Sequence, residues 1–253
     1  MSPSIWTRCA GASEARRLGG RFRRVVEAQF RNSTRKLVDS DEEQRVLEEL
    51  LDARAKLPVP AGFENLHYLL YTPFRHPPLR NGSRFGTRRE RGILYAAREL
   101  PTAFAEVAYY RLVFLEGSAA ALAPLQVELT AFSFRIAARR GIDLSQRPFR
   151  EFEDRISSPV SYADSQRLGA EMRASGIQAC LYVSARARGR HLNLAVFENI
   201  FRPTRPLDEQ RWTCTASGER VEFRAQRLVG DDESHAYERA QFLVDGKLPA
   251  PAT

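Results

Sequence analysis

Residues 65–111 decide the fold, because they hold three consecutive segments with different patterns. The segments read NGSRFG at 81–86, GILYAA at 92–97 and TAFAEVAYY at 102–110. The first is a glycine-flanked loop, the second a short apolar run typical of a strand, and the third an apolar helix. This order predicts a loop, a strand and a helix, each of which contributes one polar side chain to the same part of the fold.

Those three polar side chains are Arg84, Tyr95 and Glu106, spaced eleven residues apart. A guanidinium between two glycines suits phosphate oxygens, since glycine allows a ligand to approach the backbone closely. A tyrosine at a strand end can stack on a base, and a carboxylate on an apolar helix is costly unless it is paired or used. The set suits a pyrophosphate dinucleotide or a ribosyl cation. A surface ion pair for Arg84, a core position for Tyr95 and a solvent-facing position for Glu106 remain open alternatives.

Three further residues are candidates of lower specificity. Ser184 ends an apolar strand and precedes the basic loop ARARGR, where a hydroxyl can bind ribose or phosphate. Asn193 lies within the strand HLNLAVF and can point inward or outward. Arg24 is a further candidate for the phosphate site, with Arg23 beside it as the alternative.

The pattern of apolar residues predicts strands and helices in irregular order, which favours an α+β fold over a doubly wound sheet. The predicted strands and the hairpin lie at residues 22–30, 66–71, 93–96, 123–130, 132–136, 177–183, 191–197 and 211–228. The predicted helices lie at residues 40–56, 101–114 and from Ser161 or Ser165 to 174, and 73–78 is a rigid loop.

Length predicts one large domain, or one domain with additions. Residues 21–230 form that domain, 1–20 are a loose leader, 115–160 resemble an insertion, and 231–253 are an extension with a frayed tail. No G-x-G-x-x-G or P-loop motif occurs, so a dinucleotide would bind in another way.

Charge and cysteine content narrow the functional class. The chain has 253 residues, 43% of them hydrophobic, and a net charge of +8, almost entirely from arginine. The arginines are interleaved with 31 acidic residues, which argues against direct nucleic-acid binding and favours an anionic ligand or an acidic partner. Three widely spaced cysteines, no long apolar run and no secretory signal predict a cytoplasmic protein with free thiols, no metal and no membrane segment.

Over residues 22–201 the chain resembles the RES domain family, the toxin half of bacterial RES–Xre toxin–antitoxin pairs. The resemblance is carried by RVV at 24–26, YTPFR at 71–75, GSRFG at 82–86, YA at 95–96, AEV at 105–107 and VSA at 183–185. It implies that Arg84, Glu106 and Ser184 are the family's name-giving catalytic residues and that Tyr95 is its site tyrosine. Ser161 and Ser165 remain alternatives for the serine.

The resemblance also implies a fold similar to diphtheria-toxin-like ADP-ribosyltransferases and an activity that consumes NAD⁺. The nicotinamide–ribose bond would be cleaved with inorganic phosphate or water as acceptor, and Arg84, Tyr95, Arg24 and Asn193 would bind NAD⁺. The alternatives are ADP-ribosylation of a specific protein and a non-catalytic module for a nucleotide or partner. An Xre-type antitoxin is the implied partner, and a homo-oligomer stays open.

Overall fold

Strands and helices follow one another irregularly, which confirms the predicted α+β class. The computed structural model describes residues 3–28, 42–43, 57–76, 80–118, 124–226 and 233–251. The strands in this part of the chain are β1 (Arg16–Glu27), β2 (Leu94–Ala97), β3 (Leu125–Asp143), β4 (Ala179–Val183), β5 (Leu192–Val196), β6 (Leu207–Ala216), β7 (Arg220–Ala225) and β8 (Ser234–Glu238). The helices are α1 (Ile5–Arg8), α2 (Tyr68–Arg75), α3 (Leu100–Glu116), α4 (Glu153–Ile156) and α5 (Ala163–Ala174), with 3-10 turns at Gly11–Glu14, Phe149–Phe152 and Arg239–Phe242.

The strands form a mixed, mainly antiparallel sheet in the order β1-β2-β5-β4-β3-β6-β7-β8. Strand β3 is long enough to pair with three neighbours, and its contact with β4 is the parallel one. Because β1 also pairs with β3, the strands β1, β2, β5, β4 and β3 form a closed circuit of pairings. The hairpin of β6 and β7, with β8, extends the sheet beyond this circuit.

Strand register brings several polar residues to one face of the sheet. Asn193 on β5 lies opposite Ala97 on β2 and opposite Tyr182 on β4, and Tyr95 lies two residues before Ala97. Side chains two residues apart on a strand share a face, so Tyr95, Tyr182 and Asn193 point to the same side. Helix α3 follows β2 directly, which places Glu106 near that face.

Three buried clusters hold the elements together. One joins α2 to the sheet through residues such as Leu70, Phe74 and Phe134. A second joins α1 and α5 to β4 and β5, and a third joins α3 to β6 and β7 around Phe104 and Trp212. Burial of these large side chains stabilises the fold by about 1.5–3 kcal/mol each.

The predicted loose leader, residues 1–20, is wrong. Ile5 at the start of α1 and Cys9, the residue that caps its C-terminus, are both buried within the second cluster. Strand β1 begins at Arg16, well before residue 22. Because the segment is mostly polar, its composition did not indicate that two buried apolar side chains hold a short helix there.

The predicted strand at residues 66–71 is also wrong, because α2 occupies most of this range. The buried side chains Leu66, Leu69, Leu70 and Phe74 recur with the helical period of three and four residues. Pro73 lies inside the helix rather than in the predicted loop.

Residues 115–160 are not an insertion, since they contain the 19-residue strand β3, which lies in the middle of the sheet. The two strands predicted at 123–130 and 132–136 are this one strand. The extension after residue 230 is likewise part of the sheet, as β8, and Tyr109 Oη donates a hydrogen bond to the carbonyl of Pro249 in the supposedly frayed tail.

The other predicted elements agree with the structure to within a few residues: β2, α3, α5, β4, β5 and the β6–β7 hairpin. The helix predicted at 40–56 lies outside the described residues, apart from residues 42–43, which are helical. In the described residues no helix has the length and apolar character needed to cross a membrane.

Candidate active site

A cavity of about 600 Å³ lies between the β2–β5–β4 face, helix α3 and the loop at 82–86. This volume is within the usual range for a small-molecule site, roughly 300–1,000 Å³. Five of the six sequence-predicted site residues line it: Arg24, Arg84, Tyr95, Glu106 and Asn193. Ser184 is not among the lining residues.

Glu106 is fixed through one of its two carboxylate oxygens. Ser184 Oγ donates to Glu106 Oε1 at 2.7 Å, and Asn193 Nδ2 donates to the same oxygen at 2.6 Å. Within the described residues, both hydrogen bonds to this carboxylate go to Oε1 and none goes to Oε2, and Glu106 lines the cavity. The arrangement therefore orients the carboxylate while it leaves one oxygen for a ligand.

Ser184 lies behind Glu106 and is 5% exposed. Its Oγ accepts hydrogen bonds from the backbone N–H groups of Arg186 and Ala187, at 3.2 and 3.1 Å. With its own proton donated to Glu106, the hydroxyl is fully used by the protein. Ser184 thus couples the end of β4 to the carboxylate.

Asn193 is 2% exposed, and its Oδ1 is buried without a hydrogen-bond partner in the described residues. Leaving a buried carbonyl oxygen unsatisfied costs about 1–3 kcal/mol. Since Asn193 lines the cavity, a ligand hydroxyl or amide could satisfy this oxygen.

Arg84 lies at the tip of a tight turn. The backbone N–H and C=O groups of Ser83 and Gly86 pair with each other, and Gly82 has a φ of +76°, a left-handed conformation that suits glycine. The Arg84 side chain is only 7% exposed. Its Nη1 donates to the carbonyl oxygens of Ile156, at 3.2 Å, and Ser158, at 2.9 Å.

Two aromatic rings flank the Arg84 guanidinium, with its central carbon 4.8 Å from the ring centre of Tyr162 and 5.9 Å from that of Tyr182. These cation–π contacts hold the guanidinium plane in one orientation. Burial raises the pKa of Tyr182 well above its ordinary value, and the nearby Glu106 carboxylate contributes to the rise. Tyr182 therefore stays neutral beside the carboxylate.

Tyr95 organises the turn instead of lying free in the cavity. Its Oη lies 2.8 Å from Ser83 Oγ and accepts the backbone N–H of Phe85 at 3.0 Å. Burial raises the Tyr95 pKa, so the hydroxyl remains protonated.

Arg24 and Arg23 both line the cavity, so the sequence alternatives are not exclusive. Arg24 Nη1 donates to the Tyr95 carbonyl, while its buried Nε has no partner in the described residues. Burial lowers the pKa of Arg24 to about 10, which still leaves it charged at neutral pH.

Sequence reasoning missed four residues of this site: Ser83, Tyr110, Tyr162 and Tyr182. Tyr182 had a usable signal, because it lies two residues before Ser184, at the end of the apolar strand that the sequence predicts there. Tyr162 lies far from the other residues in sequence, and only the tertiary contact of the loop after α4 brings it to Arg84. The described residues contain no group of three or more His, Cys, Asp or Glu side chains that could hold a metal ion.

The fold and the cavity define the class of the protein: an α+β chain in which one oriented carboxylate and several arginines face a ligand-sized space. The profile of the RES domain family matches residues 59–216, which is more than half of the chain. The chain therefore belongs to the RES domain family, as its sequence resemblance predicted.

Among solved structures, the chain is similar to a chain in the crystal structure of the M.tuberculosis MbcT-MbcA toxin-antitoxin complex. The two share 14% sequence identity, and the match covers 83% of this chain and 91% of that chain with a TM-score of 0.48. No curated protein matches the chain.

Proposed function

We propose that this RES-domain protein is the toxin enzyme of a toxin–antitoxin system and cleaves the nicotinamide–ribose bond of NAD⁺. The observation that carries the proposal is Glu106, a carboxylate held through Oε1 by two protein donors, with its other oxygen left for a ligand. Arg84 and Arg24 supply positive charge to the same cavity.

The reaction needs one carboxylate rather than two. The bond between ribose C1 and the nicotinamide nitrogen breaks with its electron pair going to nitrogen, and the leaving group departs neutral without a general acid. The ribose becomes an oxocarbenium ion, which the negative charge of Glu106 stabilises. Ordinary glycosidases use a second carboxylate to protonate the leaving oxygen or activate water.

The acceptor oxygen then bonds to the ribose carbon. Inorganic phosphate gives ADP-ribose-1''-phosphate and nicotinamide, whereas water gives ADP-ribose, nicotinamide and a proton. Transfer to a side chain of a specific protein is the alternative for the same intermediate. Arg84 would bind the pyrophosphate through the guanidinium nitrogens that do not contact Ile156 and Ser158, and the free Oδ1 of Asn193 would accept a ribose hydroxyl proton.

The partner we propose is an Xre-type antitoxin that covers the cavity, as the family resemblance implies. Among solved structures, the M.tuberculosis MbcT-MbcA complex is itself a toxin–antitoxin complex. Its low similarity to this chain carries no weight in the proposal.

The test is NAD⁺ consumption by the purified protein, with and without inorganic phosphate, for wild type, Glu106→Gln and Glu99→Gln. Glutamine still accepts hydrogen bonds from Ser184 and Asn193, so the variant should fold, yet it lacks the charge. We expect its kcat to fall by at least about 10²-fold, the usual effect of removing one electrostatic stabiliser. Glu99, whose side chain is 54% exposed just before α3, is the matched control and should leave kcat unchanged.

Consumption only with phosphate would identify phosphorolysis, and consumption without it would identify hydrolysis. Label transfer from NAD⁺ to a protein, without consumption by the purified chain, would replace this reaction with ADP-ribosylation. Full activity of Glu106→Gln would refute the assigned role of the carboxylate.

A further inference from the structure

Helix α3 presents two large aromatic side chains at the cavity in addition to Glu106. Tyr110 is 46% exposed and Phe114 is 59% exposed, and both line the cavity. Residues 106, 110 and 114 are separated by four positions each, so their side chains lie along one face of the helix. We call Tyr110 and Phe114 the aromatic ledge.

The ledge is not explained by packing. Most large apolar side chains of α3, such as Phe104 and Leu112, are buried in the third cluster, whereas Phe114 is exposed. Tyr110 is held in place by its neighbours, with its ring 5.0 Å from that of Tyr109 and its Oη 3.4 Å from Tyr162 Oη. An ordered ring beside an exposed one forms a surface on which a flat aromatic group can stack.

The distance along α3 indicates what would stack there. Eight residues separate Glu106 from Phe114, which corresponds to about 12 Å along the helix axis at 1.5 Å per residue. A ribose that reacts beside Glu106 carries its nicotinamide close to that point. The ledge is reached only by the far end of a longer molecule that continues through a pyrophosphate to a second base.

We infer that the aromatic ledge binds the adenine base of the dinucleotide whose reacting ribose lies against Glu106. The inference rests on the proposed function and adds the direction in which the ligand lies along α3. The rings of the ledge line the same cavity as Glu106, so a base that stacks on them belongs to the molecule whose ribose lies against the carboxylate. The exposed Val160, by contrast, does not line the cavity.

The test is calorimetric binding of ADP-ribose and of ribose 5-phosphate, which lacks the base, to wild type and three variants. Phe114→Ala removes a stacking ring, Phe114→Trp keeps one, and Val160→Ala removes an equally exposed apolar side chain outside the cavity. We expect Phe114→Ala to weaken ADP-ribose binding by roughly tenfold, in line with the known strength of base–aromatic stacking. Binding of ribose 5-phosphate should not change, and Phe114→Trp and Val160→Ala should bind ADP-ribose as wild type does.

Equal affinities of wild type and Phe114→Ala for ADP-ribose would overturn the inference, as would equal losses for the two ligands or no ADP-ribose binding at all. The measurement needs no turnover. A chain that binds ADP-ribose through Phe114 but never consumes NAD⁺ would refute the proposed reaction and keep the subsite.

Discussion

At the scale of single residues, Ser184 and Asn193 act on the same oxygen of Glu106 but from different positions. Asn193 lines the cavity and keeps a free Oδ1, whereas the hydroxyl of Ser184 is used entirely within the protein. In the proposed reaction, this geometry gives Ser184 a positioning role and leaves Asn193 as the group that can contact a ligand. Sequence resemblance selects the serine but does not distinguish these roles.

Replacing Ser184 by alanine should lower kcat for NAD⁺ cleavage by about tenfold with little change in KM. The Glu106 carboxylate then loses one of its two hydrogen-bond donors and is oriented less precisely, so it stabilises the transition state less and kcat falls. Because the residues that line the cavity are unchanged, KM should change little. Ser184→Thr keeps the hydroxyl and should restore most of the activity. Steady-state kinetics of the two variants provide the check, and a rise in KM equal to the loss in kcat would show that Ser184 contacts substrate.

At the scale of elements, the fold was predictable where a segment had one dominant pattern. Helix α3 begins beside Pro101 and carries a nearly continuous apolar surface, and the β6–β7 hairpin turns at Ser217-Gly218, so both were found. Helix α2 was missed because residues 66–71, which include its first four residues, are apolar enough for a strand. Its helical period becomes clear only when Phe74 is included.

The candidate site was also predictable only where its residues lie in segments with one dominant pattern. Arg84, Tyr95 and Glu106 come from segments with clear local patterns, and the cavity joins all three. The loop from Ser157 to Tyr162 has no such pattern. Its position follows from long-range contacts, in which Arg84 binds the carbonyl of Ser158 and Arg186 binds that of Pro159.

Helix α5 supports the turn that carries Arg84. Gln166 Nε2 donates to the carbonyl oxygens of Asn81 and Ser83, and Arg173 Nη1 donates to that of Phe85 at 2.8 Å. Between them, Gly169 packs so closely that a Cβ atom would overlap the Phe85 carbonyl. The missing side chain lets the helix and the turn touch through their backbones.

Gly169→Ala should consequently destabilise the protein, although alanine favours a helix over glycine by about 1 kcal/mol. Overpacking against a main-chain carbonyl costs about 1–3 kcal/mol and must displace the turn, so we expect a net loss of stability and a severalfold higher KM for NAD⁺. Urea unfolding and kinetics test both effects. The control, Ala170→Gly on the exposed side of α5, should lose about 1 kcal/mol of stability and keep KM, and a stabilised Gly169→Ala variant would contradict the packing argument.

At the scale of the whole molecule, the site lies where the structural clusters meet. Tyr182 belongs to the second cluster, and Ala97 and Tyr109 belong to the third cluster. The cavity lies between these two clusters. The closed circuit of strands holds these faces in register, so the carboxylate on α3 and the arginine on the turn keep their relative positions. All three cysteines are buried and unpaired. A rigid framework of this kind suits electrostatic stabilisation, which depends on groups that are oriented before the substrate arrives.

Burial of thiol and phenol groups in these clusters makes the fold sensitive to alkaline pH. Burial raises the pKa of the Cys214 thiol from an ordinary value of 9.0 to about 11 and that of Tyr109 to about 12, and it also raises the pKa values of Cys180 and Tyr95. Between the unfolded and folded pKa values the folded chain binds more protons than the unfolded chain, so stability falls as pH rises. These groups therefore have little effect below pH 9, and the free energy of unfolding should fall from about pH 9 upward, by at most about 1.4 kcal/mol per pH unit for each group.

Urea unfolding at intervals of half a pH unit between pH 7.5 and 11, under reducing conditions, measures how the free energy of unfolding changes with pH. These intervals are shorter than the expected transition, which spans about one pH unit. Cys214→Ala removes one titrating thiol. The variant should start less stable at pH 7.5, because it leaves a small cavity, yet lose less stability than wild type between about pH 9 and pH 11. If the two curves stay parallel over that interval, the Cys214 thiol does not titrate with a raised pKa in the folded protein. A shallower fall in the variant's free energy of unfolding would show that the third cluster excludes the charged thiolate. Helix α3, which carries Glu106, packs on this cluster.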